Sequence, residues 1–211
     1  MRGVLISLEG IEGSGKTTQS RMLAEHLRRA GHQVVETVEP GGTRIGLKVR
    51  ELLLEPEHTE MHHLTELLLY NAARVQHLQE VILPAIERGE IVVTDRFSDS
   101  TMAYQGFGRG IDPQLIASID SIATGGLKPD LTLLLDTDVE SGLSRNRSAQ
   151  KVDRFELEEV AFHERVRKGF IQIATHEPGR VRIIDCGEGI GRVHQEVVKN
   201  VDDCLSARGL R

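Results

Sequence analysis

Five short apolar runs punctuate the chain, at residues 3–8, 33–38, 91–95, 131–136 and 180–185, each rich in Val, Ile or Leu. Such continuous runs suit strands buried on both faces. The longer segments between them, 15–30, 43–54, 60–88, 112–123, 155–176 and 190–207, read as helices. Strand alternating with helix predicts an α/β fold of three layers, α/β/α, around a five-stranded parallel sheet. Segment 60–88 is long for one helix, and Pro84 is expected to kink or end it. No internal repeat or low-complexity linker interrupts the pattern. One stretch reads as loose, 142–154 (GLSRNRSAQKVDR), which is polar, basic and poor in apolar residues. A solvated helix face would account for the same composition.

The length of 211 residues fits one domain spanning 1–211 with its own core. At 39% hydrophobic and 27% charged, the composition is that of an ordinary globular protein. No apolar run approaches the ~20 residues of a membrane span, and MRGVLISLEG leads straight into a glycine-rich loop, leaving no room for a signal peptide. With two widely spaced cysteines, Cys186 and Cys204, a reduced cytoplasmic protein is expected. The net charge of −6 argues against a nucleic-acid polymer as partner and toward a small acceptor.

The chemistry begins where the first apolar run ends. Residues 10–17, Gly-Ile-Glu-Gly-Ser-Gly-Lys-Thr, fit G-x-x-x-x-G-K-[ST]. Glycines let the loop curl with its N–H groups pointing at an anion, and the following helix adds its positive end. Lys16 can reach the β/γ-phosphates of a nucleotide and the Thr17 hydroxyl can ligate Mg²⁺. An apolar strand ending in Asp95 then suits a metal, held directly or through water, and Arg96 enters the same crevice, where a second phosphate would be welcome. A strand-end turn with a local ion pair is the plainer reading of Asp95-Arg96.

Tyr70 and Arg74 lie four apart, on one helix face. A ring beside a guanidinium suits a planar base with a carbonyl oxygen, although a core tyrosine and a surface arginine would give the same spacing. Around them, Glu39-Pro40-Gly41-Gly42-Thr43 marks a turn, with Thr43 a possible helix N-cap before Arg50. Ser100, Thr101, Tyr104 and Gln105 crowd hydroxyls, a ring and an amide into a few residues, as base readers or as caps and turn residues. His58, His62 and His63 lack the Cys, carboxylate or HExxH context of a metal site.

In this order the segments LEGIEGSGKTTQ, EPGGT, LLLYNAARVQH, TDRFSDSTMAYQGFGRGID, LKPDLTLLLDTD and the basic 142–156 region resemble the thymidylate kinase family of P-loop nucleoside-monophosphate kinases, over essentially the whole chain. The resemblance is to the bacterial type whose phosphate loop lacks an arginine. It implies a Mg²⁺-dependent enzyme that moves the γ-phosphoryl of ATP to thymidine monophosphate, for dTTP synthesis. Gly10, Ile11, Glu12, Gly13, Ser14, Gly15, Lys16, Thr17 and Thr18 would hold the ATP phosphates, with Thr17 and Asp95 at the metal. Arg50 and Arg96 would grip the acceptor phosphate, with Pro40 beside it. Tyr70 would stack on thymine, Arg74 would meet its O4, and Thr101, Gln105 and Ser100 the remaining edge. Glu12 would lie near the sugar 3′-hydroxyl, and Tyr104 would crowd out a ribose 2′-hydroxyl.

The resemblance also implies a homodimer through helices and a lid, about 142–156. With no arginine in the loop, transition-state charge would come from the lid residues Arg145, Arg147, Lys151 and Arg154. Arg147 is favoured for the transferring group, with Arg145 and Arg154 on the donor nucleotide or, for Arg154, on the lid itself. Val38 stands where related bacterial enzymes commonly place Arg, and Tyr70 where the ring is often Phe. A kinase of the same architecture with another acceptor, a uridylate, cytidylate or deoxynucleoside kinase, is the alternative. A GTPase is disfavoured because LLLDTDVESG replaces the N/T-K-x-D motif.

Overall fold

The computed structural model describes residues 2–148, 153–155 and 157–210, with the side chains of Arg147 and Ser148 outside the description. Five strands, β1 (Val4–Glu9), β2 (Val34–Val38), β3 (Ile91–Asp95), β4 (Leu131–Asp136) and β5 (Val181–Asp185), form one sheet in the order β2-β3-β1-β4-β5. Every neighbouring pair is parallel, with Val4 opposite Ile91 and Ile6 opposite Leu131 across central β1. The expected strands are thus present within a residue of their bounds.

Alternate residues of the strands feed two cores. Val4, Ile6, Leu8, Val93 and Leu133 meet Leu23 and Leu27 of α1 (Lys16–Arg29). They also meet Val193, Val197, Val201 and Leu205, the i, i+4 stripe of the last helix (Ile190–Ala207). The opposite face puts Leu5 and Val92 against Leu78, Ile82, Ile86 and Phe97. Farther along that face, Leu134 meets an aromatic cluster of Tyr104, Phe155, Phe162 and Phe170. Each fully buried leucine of this kind contributes about 1.5–3 kcal/mol.

After α2 (Arg44–Leu54), the predicted helix 60–88 is built in three registers: α3 (His63–His77), a π-helical turn (Leu78–Ile82) and α4 (Leu83–Glu87). Pro84 neither donates an N–H nor tolerates the carbonyl four residues back, and the wider π turn ahead of it absorbs the mismatch. Two helical segments go beyond the sequence reading. The first is α5 (Ser98–Thr101), running into a π-helical stretch, Met102–Gly108. The second is α7 (Val139–Ser148), and the expected helices follow as α6 (Pro113–Thr124), α8 (Val160–His176) and α9 (Ile190–Ala207). Helix α7 occupies much of the stretch that read as loose, in line with its alternative reading as a solvated helix face. Gly106 and Gly108 argue against a helix by propensity, yet packing requires small residues there. A Cβ on Gly108 would lie 2.7 Å from the Phe162 ring, and one on Gly169 2.6 Å from Phe107.

Candidate active site

The loop after β1 closes on its own lysine. Gly15 starts α1 in the left-handed region at φ 95°, and Lys16 Nζ donates to Gly10 O at 3.1 Å and Ile11 O at 2.7 Å. Burial, with Arg96 alongside, lowers the Lys16 pKa to about 8. Bound phosphates would reverse both effects. Thr17 Oγ1 donates to Asp95 Oδ2 at 2.6 Å, so the two expected metal ligands stand together at the start of α1 and the end of β3. A hydroxyl with one carboxylate fits Mg²⁺, which completes its shell with phosphate oxygens and water. No cluster of three or more His, Cys, Asp or Glu capable of holding a metal occurs among the described residues.

Arg96 is the one non-glycine with positive φ among the described residues, at 76°. That backbone costs energy, and it aims the guanidinium across the loop. Nη1 donates to Gly10 O at 3.0 Å and Ser100 Oγ at 3.1 Å; Nη2 donates to Glu12 Oε1 at 3.1 Å and the Tyr104 hydroxyl at 3.0 Å. Tyr104 in turn donates to Glu12 Oε1 at 2.6 Å. Burial works to raise the Glu12 pKa, but His163, Arg96, Lys16 and Tyr104 outweigh it and bring it down to about 2. Burial drives the Tyr104 phenol well above its ordinary value. Glu12 is therefore an anion, hydrogen-bonded by a neutral phenol and the Arg96 guanidinium, with the Lys16 charge nearby.

Behind Ser100 lies Glu9, fully buried, accepting from Phe97 N at 2.7 Å and Ser100 Oγ at 2.5 Å. Burial, with Asp99 adding to it, raises its pKa to about 8.

The far end of the crevice is organised by Arg74. Its Nε donates to Glu39 Oε2 at 2.8 Å, Nη1 to Asp120 at 3.2 Å and Asn71 at 3.4 Å, and Nη2 to Thr101 Oγ1 at 2.9 Å. Glu39 is shared with His77 Nδ1 at 2.9 Å, whose Nε2 meets Thr37 Oγ1 at 2.6 Å. Arg50 donates to Pro40 O at 2.9 Å. Gln105 Nε2 donates to Glu66 Oε1 at 2.8 Å.

These side chains share one crevice of about 290 Å³. It is lined by Glu12, Gly13, Gly15, Lys16, Thr17 and Thr18 at the phosphate end, and by Pro40, Arg50, Tyr70, Arg74, Asp95 and Arg96 opposite. Ser100, Thr101, Tyr104, Gln105 and Arg145 also line it. Gly10, Ile11 and Ser14 stand behind the wall as scaffold for Lys16.

Arg154, expected on the donor nucleotide or the lid, is buried against α2 and α3. Its Nε donates to Leu53 O, its Nη2 pairs with Glu66, and its guanidinium lies 5.0 Å from the Phe155 ring centroid. The side chain of Arg147 and the whole of Lys151 lie outside the described residues. Sequence reasoning passed over Glu39, Glu66 and Phe155. The motif Glu39-Pro40-Gly41-Gly42-Thr43 carried a signal for the first. Glu66 read as one more polar residue on a helix.

A family model for thymidylate kinase matches residues 8–197. The chain is 49% identical to "Thymidylate kinase" of Geotalea uraniireducens (strain Rf4), over 89% of this chain and 91% of the relative. It is 50% identical to the protein of that name from Pseudomonas fluorescens (strain Pf0-1), over 93% and 94%. A crystal structure of thymidylate kinase from Ehrlichia chaffeensis superposes with a TM-score of 0.78 at 38% identity, covering 96% of this chain and 99% of that one.

Proposed function

Since the chain belongs to the thymidylate kinase family, and so phosphorylates thymidine monophosphate with ATP as donor, we propose that the crevice over the strand ends divides that reaction between its two halves. Lys16 and the loop amides bind the donor phosphates. Thr17 and Asp95 would hold Mg²⁺, which would neutralise phosphate charge when bound. Arg50 and Arg96 hold the acceptor phosphate, already an anion, so its oxygen attacks the γ-phosphorus without a general base and ADP leaves. Catalysis is positioning and charge neutralisation.

Acceptor choice rests on one observation, the donor count at Arg74. Of five guanidinium N–H groups, four go to Glu39, Asn71, Asp120 and Thr101 among the described residues. The remaining donor suits an exocyclic carbonyl and repels an amino group. Gln105, its amide nitrogen committed to Glu66, keeps its carbonyl oxygen to accept from a base N–H. Tyr70 stacks on the base, Tyr104 closes the space beneath C2′, and Glu12 accepts the 3′-hydroxyl. A panel of nucleoside monophosphates assayed for ADP release tests this reading. Thymidine monophosphate should lead, and equal turnover of the cytosine nucleotides would overturn it.

Two further parts belong to the proposal. Segment 142–156 closes as a lid over the donor, bringing Arg147 to the transferring group and Arg145 to the donor nucleotide. Helices α2, α3 and α6 carry exposed Ile45, Leu47, Leu52, Leu64, Leu68, Leu115 and Ile122, an apolar face that a second copy of the chain would bury. Cys186 and Cys204 are free thiols, which fits a reducing cytoplasm.

A further inference from the structure

Helix α8 sends one fully buried histidine, His163, toward the phosphate loop, and neither ring nitrogen has a hydrogen-bond partner among the described residues. Glu12 Oε2 is buried and unpartnered in the same way. Yet the two groups face each other, with His163 Nδ1 3.3 Å from Glu12 Oε2, an ion-pair distance for a protonated ring but without the geometry of a hydrogen bond. Buried polar groups are nearly always paired, and each one left unmade costs about 1–3 kcal/mol. An orphan donor beside an orphan acceptor, at the mouth of a binding crevice, therefore marks an arrangement completed by something else. The Phe162 ring stands edge-on to the imidazole at 5.4 Å and fixes its plane. The carboxylate is the adjustable member, because the last torsion of a glutamate is broad. Its other oxygen, Oε1, is already committed to Tyr104 and Arg96.

We propose that His163 is a positioning residue for the acceptor's sugar: as the nucleotide binds, its Nδ1–H takes one lone pair of Glu12 Oε2 and turns the carboxylate so that the other accepts the deoxyribose 3′-hydroxyl. This rests on the reading above in which Glu12 meets that hydroxyl. A carboxylate oxygen has two acceptor directions, so imidazole and sugar can share Oε2 without displacing Tyr104 or Arg96. Glu12 Oε2 and His163 Nδ1 are then both accounted for, and in this tautomer Nε2 remains an unpartnered acceptor.

The test compares His163→Phe, which keeps a ring and drops the donor, with His163→Asn, which restores a donor near the Nδ1 position. Each is assayed with thymidine monophosphate and with its 3′-deoxy analogue. His163→Phe should raise KM for thymidine monophosphate about tenfold, the scale of one hydrogen bond to a charged group. KM for ATP and Tm should change little, His163→Asn should recover most of the loss, and with the 3′-deoxy analogue variant and parent should coincide. An equal loss on both acceptors, or no recovery by Asn, overturns the inference while leaving the sugar contact of Glu12 standing. A parent that does not distinguish the two acceptors overturns that contact and the inference together. If the phenylalanine variant fails to fold, ¹⁵N spectra of the parent decide: a protected His163 imidazole N–H should emerge with thymidine monophosphate and not with the 3′-deoxy analogue, and its absence overturns the assignment.

Discussion

Arg74 and Glu39 form an ion pair, Nε to Oε2 at 2.8 Å, in which the side chains are 2% and 4% exposed. The arginine proposed to read the base is thus also a structural cation. Arg74→Ala should lower kcat/KM for thymidine monophosphate by roughly 2–3 kcal/mol. It should also destabilise the fold by about 3–5 kcal/mol, because Glu39 is left buried without its charge partner. Melting curves alongside kcat/KM for thymidine and deoxycytidine monophosphates separate the two effects. Unchanged pyrimidine discrimination would remove Arg74 from the base site.

Tyr104 joins two tasks that mutation can split. Its ring packs edge-on against Phe155 at 5.6 Å, and its hydroxyl donates to Glu12. Tyr104→Ala opens volume beneath the sugar and should narrow the preference for deoxy over ribo acceptors. Tyr104→Phe keeps the volume and should leave that preference in place. The check is the ratio of kcat/KM for thymidine and ribothymidine monophosphates in each variant.

For the basic segment the three arginines should part company. Arg147→Ala is expected to lower kcat at least ~10²-fold with little change in KM for thymidine monophosphate, a contact made only in the closed complex. Arg154→Ala should instead lower Tm and weaken the acceptor, because it strips Glu66 of a buried partner. Steady-state kinetics of the single alanine variants at 145, 147 and 154, at saturating ATP and Mg²⁺, distinguish them. If all three keep kcat within a few-fold, the segment is not the source of catalytic charge.

Glu9 sets a pH dependence of stability. Its folded pKa, about 8 against 4.5 for the free group, means that folding takes up a proton between these values. The stability that accompanies the protonated carboxyl is complete below about 4.5 and is lost as pH rises toward 8. Glu9→Gln is neutral throughout and can still accept from Phe97 N–H. The variant should gain on the parent as pH rises through that window, by up to ~1.4 kcal/mol per unit. Urea melts at several pH values test it; parallel profiles would show that Glu9 is ionised in the folded chain.

Much of this architecture was legible because the responsible signals are local. The strands are continuous apolar runs, and the loop that wraps Lys16 is defined by eight consecutive residues. Tyr70 and Arg74 share a face through simple helical spacing. What escaped is held by distant partners. Residues 98–108 are helical although Gly106 and Gly108 oppose it, and at Gly108 the close approach of Phe162 and Val166 on α8 leaves no room for a larger side chain. Glu66 acquires its role from Gln105, Arg109 and Arg154, all remote in the chain. His163 reads as one buried position on an amphipathic helix, and only its juxtaposition with Glu12 makes it unusual.

Gly13 and Gly142 bring two backbones together: a Cβ on Gly13 would sit 1.9 Å from Gly142 O, and one on Gly142 2.6 Å from Glu12 O. Gly13 also has φ 68°, so any side chain there meets both torsional strain and a collision. An arginine grafted into the phosphate loop at this position would have to push α7 off the loop. Arg145 lies less than one turn beyond Gly142, about 4.5 Å along that same helix. At position 13, therefore, a loop side chain and the present seat of α7 exclude each other.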